Sequence, residues 1–333
     1  EAQIVETMIL NILNFQTLVA TKASRMRLAA GENILIDFGL RRAQGPGGYY
    51  ASRACMIGGF NATSNVAAGR DYGIPVSGTM AHSYIETFDD ELKAFIHFAE
   101  GQPEGCVLLV DTYDTLNSGL PNAIRTAKMM EEKGHRLYGI RLDSGDLAYL
   151  SKKCREILDQ SGLGYVKIAA SNQLDEHIIK SLIDQKAPID VFGVGTSLVT
   201  GAPDAALDGV YKLAYSGGKP RIKISENIKK ITLPHRKQVF RVLDSDGRFA
   251  GADAIALDSE TDVDMMYHPL FPDKSLAVGD RKKEPLLARI MEGGERLAPS
   301  SSLKDIASYS AERLRLLPEE YKRFNYPHVY KVG

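Results

Sequence analysis

Six short apolar or β-branched runs, separated mostly by longer stretches with helical spacing, constrain this chain more than any other feature. They are Ile34–Phe38, Ile74–Ser77, Cys106–Val110, Leu137–Leu142, Tyr165–Ala169 and Val191–Val194. Between them, Ser83–Ala99, Pro121–Lys133, Leu147–Gln160 and Leu174–Gln185 are long enough to serve as crossover helices returning the chain to a parallel sheet. Runs that are continuously apolar belong in a sheet covered on its faces, which leaves an α/β barrel or an open doubly wound sheet.

The polar residues decide between the two. Asp37, Phe38, Gly39, Arg41 and Arg42 end the first run, Thr79 and His82 follow the second, and Asp111 and Asp114 the third. Asp143, Ser144, Gly145 and Asp146 follow the fourth, with Arg141 just before; Ser171 and Asn172 follow the fifth, and Gly195, Thr196 and Ser197 the sixth. An open sheet gathers its site at one switch point, whereas a barrel draws on the ends of many strands. We therefore expect a parallel α/β barrel over residues 1–207, opened by a helix over 1–30, and a smaller, mainly β part over 208–333. In the latter, Val210–Ala214, Arg221–Ser225, Lys237–Leu243 and Ala252–Leu257 read as antiparallel strands, followed by one amphipathic helix within Leu303–Lys322 and a strand-like end.

Composition excludes several classes of partner. With 41 basic and 42 acidic residues interspersed, the chain has no electrostatic footprint for nucleic acid or an anionic membrane. The basic stretch Asn227–Arg236 reads as a solvated face. Cys55, Cys106 and Cys154 lack zinc or disulfide spacing, which fits a reducing, cytoplasmic setting. No segment reads as a membrane span or signal peptide. The dense apolar positions Ile4, Val5, Met8, Ile9, Ile12, Leu13 and Phe15 suggest a helix that packs against more protein than this sequence contains.

Three stretches carry chemistry. Val76–Ile85, VSGTMAHSYI, reads as a strand, a tight turn and a helix N-terminus, an anion site with His82 able to take or pass on charge near neutral pH. The small residues of Gly193–Ser197 let backbone approach a phosphate, or simply make a tight turn. Asp143–Asp146 suits ribose hydroxyls or Mg2+, and equally an Asp cap for the helix starting near Leu147.

The segments IDFGLRRAQGPGGYYASRA, IPVSGTMAHSYIETF, LLVDTYDTL, RLDSGDLAYL and GVGTSLVTGAPDAALDGVYKL, in this order, closely resemble nicotinate phosphoribosyltransferases. KISENIKKITLPHRKQVFR and MYHPLFPD extend the resemblance over essentially the whole chain. It implies an irregular α/β barrel of the type II phosphoribosyltransferase group. It also implies the joining of nicotinate to 5-phosphoribosyl 1-diphosphate, giving nicotinate mononucleotide and pyrophosphate, with ATP as co-substrate and Mg2+ as cofactor.

Carried over by position, the resemblance implies that His82 is phosphorylated by ATP, with Asp111 orienting it. Thr79 and Arg141 would contact nicotinate, Phe38 would stack on the pyridine, Asp143 would contact ribose and Thr196 the 5'-phosphate. Ser171, Gly195 and Arg41 join the substrate-binding set. Ser64 aligns with an aspartate of nicotinamide-specific relatives, and a serine there suits a carboxylate; its alternative role is to cap the helix leading to Gly69. The family's N-terminal region, whose aromatic residue covers nicotinate across a homodimer interface, has no counterpart here. Three readings follow: an active enzyme completed by further sequence or a partner, a nicotinamide-specific relative, or a non-catalytic remnant that binds phosphoribosyl ligands.

Overall fold

The computed structural model describes residues 2–333 apart from 225, 227–231 and 298. The chain divides into one unit formed by Leu13–Leu207 and another formed by Asp208–Gly333 with Glu1–Ile12.

In the first unit six strands, β1 (Ile34–Asp37), β2 (Ala62–Thr63), β3 (Val107–Leu109), β4 (Gly139–Leu142), β5 (Lys167–Ala170) and β6 (Val191–Val194), form one sheet. Its order is β2-β1-β6-β5-β4-β3, and every pair is parallel. The run Ile74–Ser77 is not one of the six. Pro75 has no N–H to give a ladder, and the segment contributes only a single parallel bridge, Val76 to Thr63. The place beside β1 is taken by the two-residue β2, too short to show a period in sequence. Every strand contributes at least one residue (Ile36, Ala62, Val107, Gly139, Ala169 and Gly193 among them) to the lining of a single cavity of ≈ 250 Å³. The sheet therefore curls into a barrel around a shared interior, although among the described residues β3 pairs only with β4.

The helices are α1 (Ala2–Ala30), α2 (Gly47–Ile57), α3 (Val66–Tyr72), α4 (His82–Glu86), α5 (Glu91–Gly101), α6 (Leu120–Glu132), α7 (Leu147–Gln160), α8 (Glu176–Asp184) and α9 (Thr196–Thr200). The single helix expected over Ser83–Ala99 is two, because the Asp90 side chain accepts from Leu92 N and starts α5 afresh. Asp146 caps α7 in the same way, accepting from Tyr149 N.

By length and composition α1 is apolar enough to cross a membrane, contrary to the sequence reading. Its second half is committed elsewhere. Val19, Ala23 and Met26 have no exposed surface, and Lys22 pairs with buried Glu176 at 2.6 Å. What is left uncovered is shorter than the roughly 20 residues a span needs. The first half leaves Ile4, Met8, Ile12 and Leu13 exposed.

In the second unit β7 (Tyr215–Ser216) and β8 (Lys219–Pro220) form a hairpin around Gly217 and Gly218, whose φ values of 60° and 72° suit a two-residue primed turn. The strand placed at Val210–Ala214 is thus absent, and residues 221–224 carry no strand; residue 225 lies outside the described residues, as does 227–231 of the basic stretch. The strands β9 (Lys237–Leu243), β10 (Phe249–Leu257), β11 (Met265–His268), β12 (Phe271–Ala277), β13 (Lys283–Pro285), β14 (Met291–Glu292), β15 (Glu295–Arg296) and β16 (Lys331–Val332) follow. A four-stranded sheet β13-β9-β10-β16 packs Val242, Ala252, Ala254 and Val278 into its own core. The tail holds two helices, α10 (Leu303–Leu316), with a Ser302–Asp305 capping box, and α11 (Glu319–Lys322).

Candidate active site

The C-terminal strand ends converge on Arg141, the third residue of β4. Its Nε donates to Ser171 Oγ at 2.9 Å, its Nη1 to Thr79 Oγ1 at 2.7 Å and Met80 O at 3.2 Å, and its Nη2 lies 3.1 Å from Asp143 Oδ1. The guanidinium carbon also stands 5.5 Å from the centre of the Phe38 ring. These contacts take up four of the five guanidinium N–H groups and leave one, on Nη2, to meet an anion.

Asp143 follows β4 directly and accepts from Ser171 Oγ as well as from Arg141. Burial pushes its carboxyl up, but the Ser171 hydroxyl and the Arg141 guanidinium outweigh this and hold it below the ordinary value. It is therefore an anion at neutral pH. Its Oδ2 lies 3.5 Å from His82 Nε2, while His82 Nδ1 lies 3.1 Å from Thr112 Oγ1.

This corrects the role expected of Asp111. Its Oδ2 accepts from Asp143 N at 2.7 Å and Ser144 Oγ at 2.6 Å, so the side chain turns toward the next loop and not toward His82. The strand–turn–helix reading of Val76–Ile85 is also corrected: no ladder strand precedes the turn, and α4 has only 5 residues.

Two further cavities share this centre with the ≈ 250 Å³ cavity of the barrel, which Phe38, Thr79 and Arg141 also line. One, of ≈ 340 Å³, is lined by Phe38, Arg41, Ser64, Thr79, His82, Arg141 and Asp143 among others. The other, of ≈ 630 Å³, continues from Arg141 and Asp143 along Arg41, Arg42, Ser171, Gly195 and Thr196. Of the residues given a catalytic or substrate-binding role in the sequence, all except Asp111 line one or both.

Ser64 does not cap α3. Asn65 does, accepting from Ala68 N, and the Ser64 hydroxyl donates instead to Asp37 O at 3.0 Å. Sequence reasoning gave Asp37 and Asn172 no role and did not single out Thr112 or Gln173; Asn172 and Gln173 have φ values of 82° and 48°, unusual for side-chain-bearing residues, and also line the larger cleft. A charged residue inside the run ILIDF was the one available signal for Asp37.

The family model described as the nicotinate phosphoribosyltransferase (NAPRTase) family matches residues 34–257. The chain belongs to that family. A model of the nicotinate phosphoribosyltransferase C-terminal domain matches residues 236–333. The nicotinate phosphoribosyltransferase of Bacillus subtilis (strain 168) is 47% identical, the match covering 100% of this chain and 69% of the relative. That of Caenorhabditis elegans is 37% identical over 99% of this chain and 70% of its own. The crystal structure of human nicotinic acid phosphoribosyltransferase superposes with a TM-score of 0.86 at 31% identity, covering 99% of this chain and 74% of the human one.

Proposed function

We propose that this member of the family joins nicotinate to 5-phosphoribosyl 1-diphosphate, releasing pyrophosphate, and that ATP hydrolysis is coupled through His82. The observation that carries the reading is Arg141: one fixed guanidinium shared by a small cavity walled by an aromatic ring and a larger polar cleft edged by arginines. The nicotinate carboxylate pairs with Arg141 and Thr79, and the pyridine lies against Phe38. The phosphoribosyl group occupies the cleft, its 5'-phosphate at Gly195 and Thr196 and its diphosphate toward Arg41 and Arg42. The pyridine nitrogen lone pair forms the bond to ribose C1 as the C1–oxygen bond breaks, its electron pair leaving with pyrophosphate.

The ring contacts of His82 support a specific coupling step. Ionised Asp143 can only accept, so the neutral ring carries its proton on Nε2 and keeps a lone pair on Nδ1, toward Thr112. Nδ1 then attacks the γ-phosphorus of ATP, the bond to the ADP oxygen breaks, and water later returns the phosphoryl group as phosphate.

Among the described residues no three His, Cys, Asp or Glu side chains gather into a metal cage. Mg2+ is accordingly read as arriving on the substrates' phosphates, where one or two carboxylates suffice. Asp111 Oδ1, buried and without a donor, is a suitable oxygen. The homodimer with a shared site belongs to the same proposal. Formation of nicotinate mononucleotide, measured with and without ATP and after EDTA treatment, tests the whole. Transfer that ATP does not stimulate, or that survives metal stripping, would remove the corresponding part.

A further inference from the structure

Asp37 is a carboxylate with 1% of its surface exposed, at the end of β1, and the transfer chemistry makes no use of it. Three neutral donors hold it. Gly39 N reaches Oδ1 at 2.8 Å, while Ser52 Oγ at 2.7 Å and Thr63 Oγ1 at 2.8 Å reach Oδ2. These donors come from the turn after β1, from α2 and from β2, and Ser52 and Thr63 are themselves fully buried. Burying a carboxyl group is costly, and a core that needed only volume here would use an aliphatic side chain.

What hangs from Asp37 explains the cost. Its Oδ1 fixes the Gly39 amide, and so bends the chain between Phe38 and the Leu40–Arg42 turn that carries Arg41. Gly39 is wedged as well: a Cβ there would stand 2.0 Å from Val199 Cγ1. The main-chain oxygen of Asp37 accepts from Ser64 N at 2.9 Å and from Ser64 Oγ at 3.0 Å. Phe38 and Ser64, two walls of the smaller cavity, are thus set relative to each other through one residue.

We propose that Asp37 is a positioning residue for the pyridine-bearing substrate, acting as a hydrogen-bond acceptor that fixes Phe38 against Ser64; this rests on reading the smaller cavity as the nicotinate site. The acceptor matters and the charge does not. In Asp37→Asn the amide oxygen still takes the Gly39 N–H, and the Ser52 and Thr63 hydroxyls can turn to accept from Nδ2. In Asp37→Ala the Gly39 amide loses its partner, while the Ser52 and Thr63 hydroxyls keep Gly48 O at 2.9 Å and Ser52 Oγ at 3.2 Å.

Two measurements decide. Steady-state kinetics should show KM for nicotinate raised about tenfold or more in Asp37→Ala, with kcat and KM for 5-phosphoribosyl 1-diphosphate within about threefold of the parent, and Asn restoring KM to within about threefold. Leu158→Ala, in the buried face of α7 away from the site, controls for lost stability and should leave KM unchanged. Should Asp37→Ala not fold, Asp37→Ser, too short to meet three donors, takes its place with the same expectation. Independently of any substrate, hydrogen exchange at the Gly39 amide should speed up about tenfold or more in Asp37→Ala or Asp37→Ser and not in Asp37→Asn. Unchanged exchange overturns the proposal, as does a loss spread equally over kcat and both KM values. A parent inactive toward nicotinate would instead remove the functional reading and leave the exchange result to judge Asp37.

Discussion

A Cβ built on Gly193 would stand 2.3 Å from Phe38 Cε2, so the Phe38 ring occupies the space that any side chain at position 193 would need. The glycine of β6 makes room for the ring that directly follows β1, its neighbour in the sheet. Gly193→Ala should push the ring out of place at an overpacking cost of about 1–3 kcal/mol. We expect KM for nicotinate to rise about tenfold with a modest fall in Tm. A variant that lost stability but bound nicotinate as before would show that Phe38 is not the wall against which the pyridine rests.

His82 offers a sharper test because its two nitrogens have different neighbours. His82→Ala should abolish ATP-stimulated turnover while leaving some ATP-independent transfer. Thr112→Val removes the hydroxyl beside Nδ1 and should cut the ATP-stimulated rate about 2- to 12-fold, the value of a hydrogen bond of about 0.5–1.5 kcal/mol. Rapid-quench measurement of phosphoenzyme from labelled ATP reads both. Equal phosphoenzyme formation in parent and His82→Ala would exclude His82 as the acceptor.

These two cases also show what sequence could convey. Strands such as β1, β4 and β6 were legible because their runs are mainly apolar, with one charged residue each in β1 and β4, and α7 because its period and its Asp146 cap agree. Ala62–Thr63 was not, since two residues carry no period, and Ile74–Ser77 misled because apolar character outweighed the missing N–H of Pro75. The site's membership was legible, as strand ends in a barrel must converge. Its wiring was not: an acid one strand beyond a histidine says nothing about whether it faces the ring or, as Asp111 does, the backbone of the next loop. The resemblance added roles for residues, but not the contact between Thr112 and Nδ1.

The ion pairs between α1 and α8 predict a pH dependence. Burial raises the Glu176 carboxyl, but Lys22 and Arg25 outweigh it and hold the group below its ordinary value. A carboxyl depressed in the folded state adds stability that is present above its unfolded value, about 4.3, and is lost as pH falls through the lower folded value. Tm should therefore decline below about pH 4.3 in the parent, with a smaller slope in Glu176→Gln. Lys22→Met leaves Glu176, whose side chain is 2% exposed, without its nearest cation and should cost about 3–5 kcal/mol. The double variant Lys22→Met/Glu176→Leu should recover much of that loss in denaturant melts. A double variant no better than Lys22→Met would mean that packing, not charge, explains the effect.

We expect substrate choice to rest on Ser64. Nicotinate carries a carboxylate where nicotinamide carries a neutral amide, and Ser64 lines the same cavity as Arg141, Thr79 and Phe38. Its one hydroxyl proton goes to Asp37 O, so the residue serves nicotinate less by donating to it than by presenting no charge. An aspartate at this position would repel the substrate's carboxylate by about 4 kcal/mol for unit charges ~4 Å apart at an effective dielectric of about 20. It would also give up the bond to Asp37 O, since a carboxylate cannot donate. Ser64→Asp should thus depress kcat/KM for nicotinate by about two to three orders of magnitude, each factor of ten being about 1.4 kcal/mol. Nicotinamide use should be unchanged or improved, because the new carboxylate can accept from the amide N–H. Ser64→Ala separates the two effects: it loses the bond without adding charge and should cost both substrates alike, by less than tenfold. Measuring kcat/KM for both substrates across the three proteins decides the matter, and a Ser64→Asp enzyme that lost both equally would make Ser64 a structural residue.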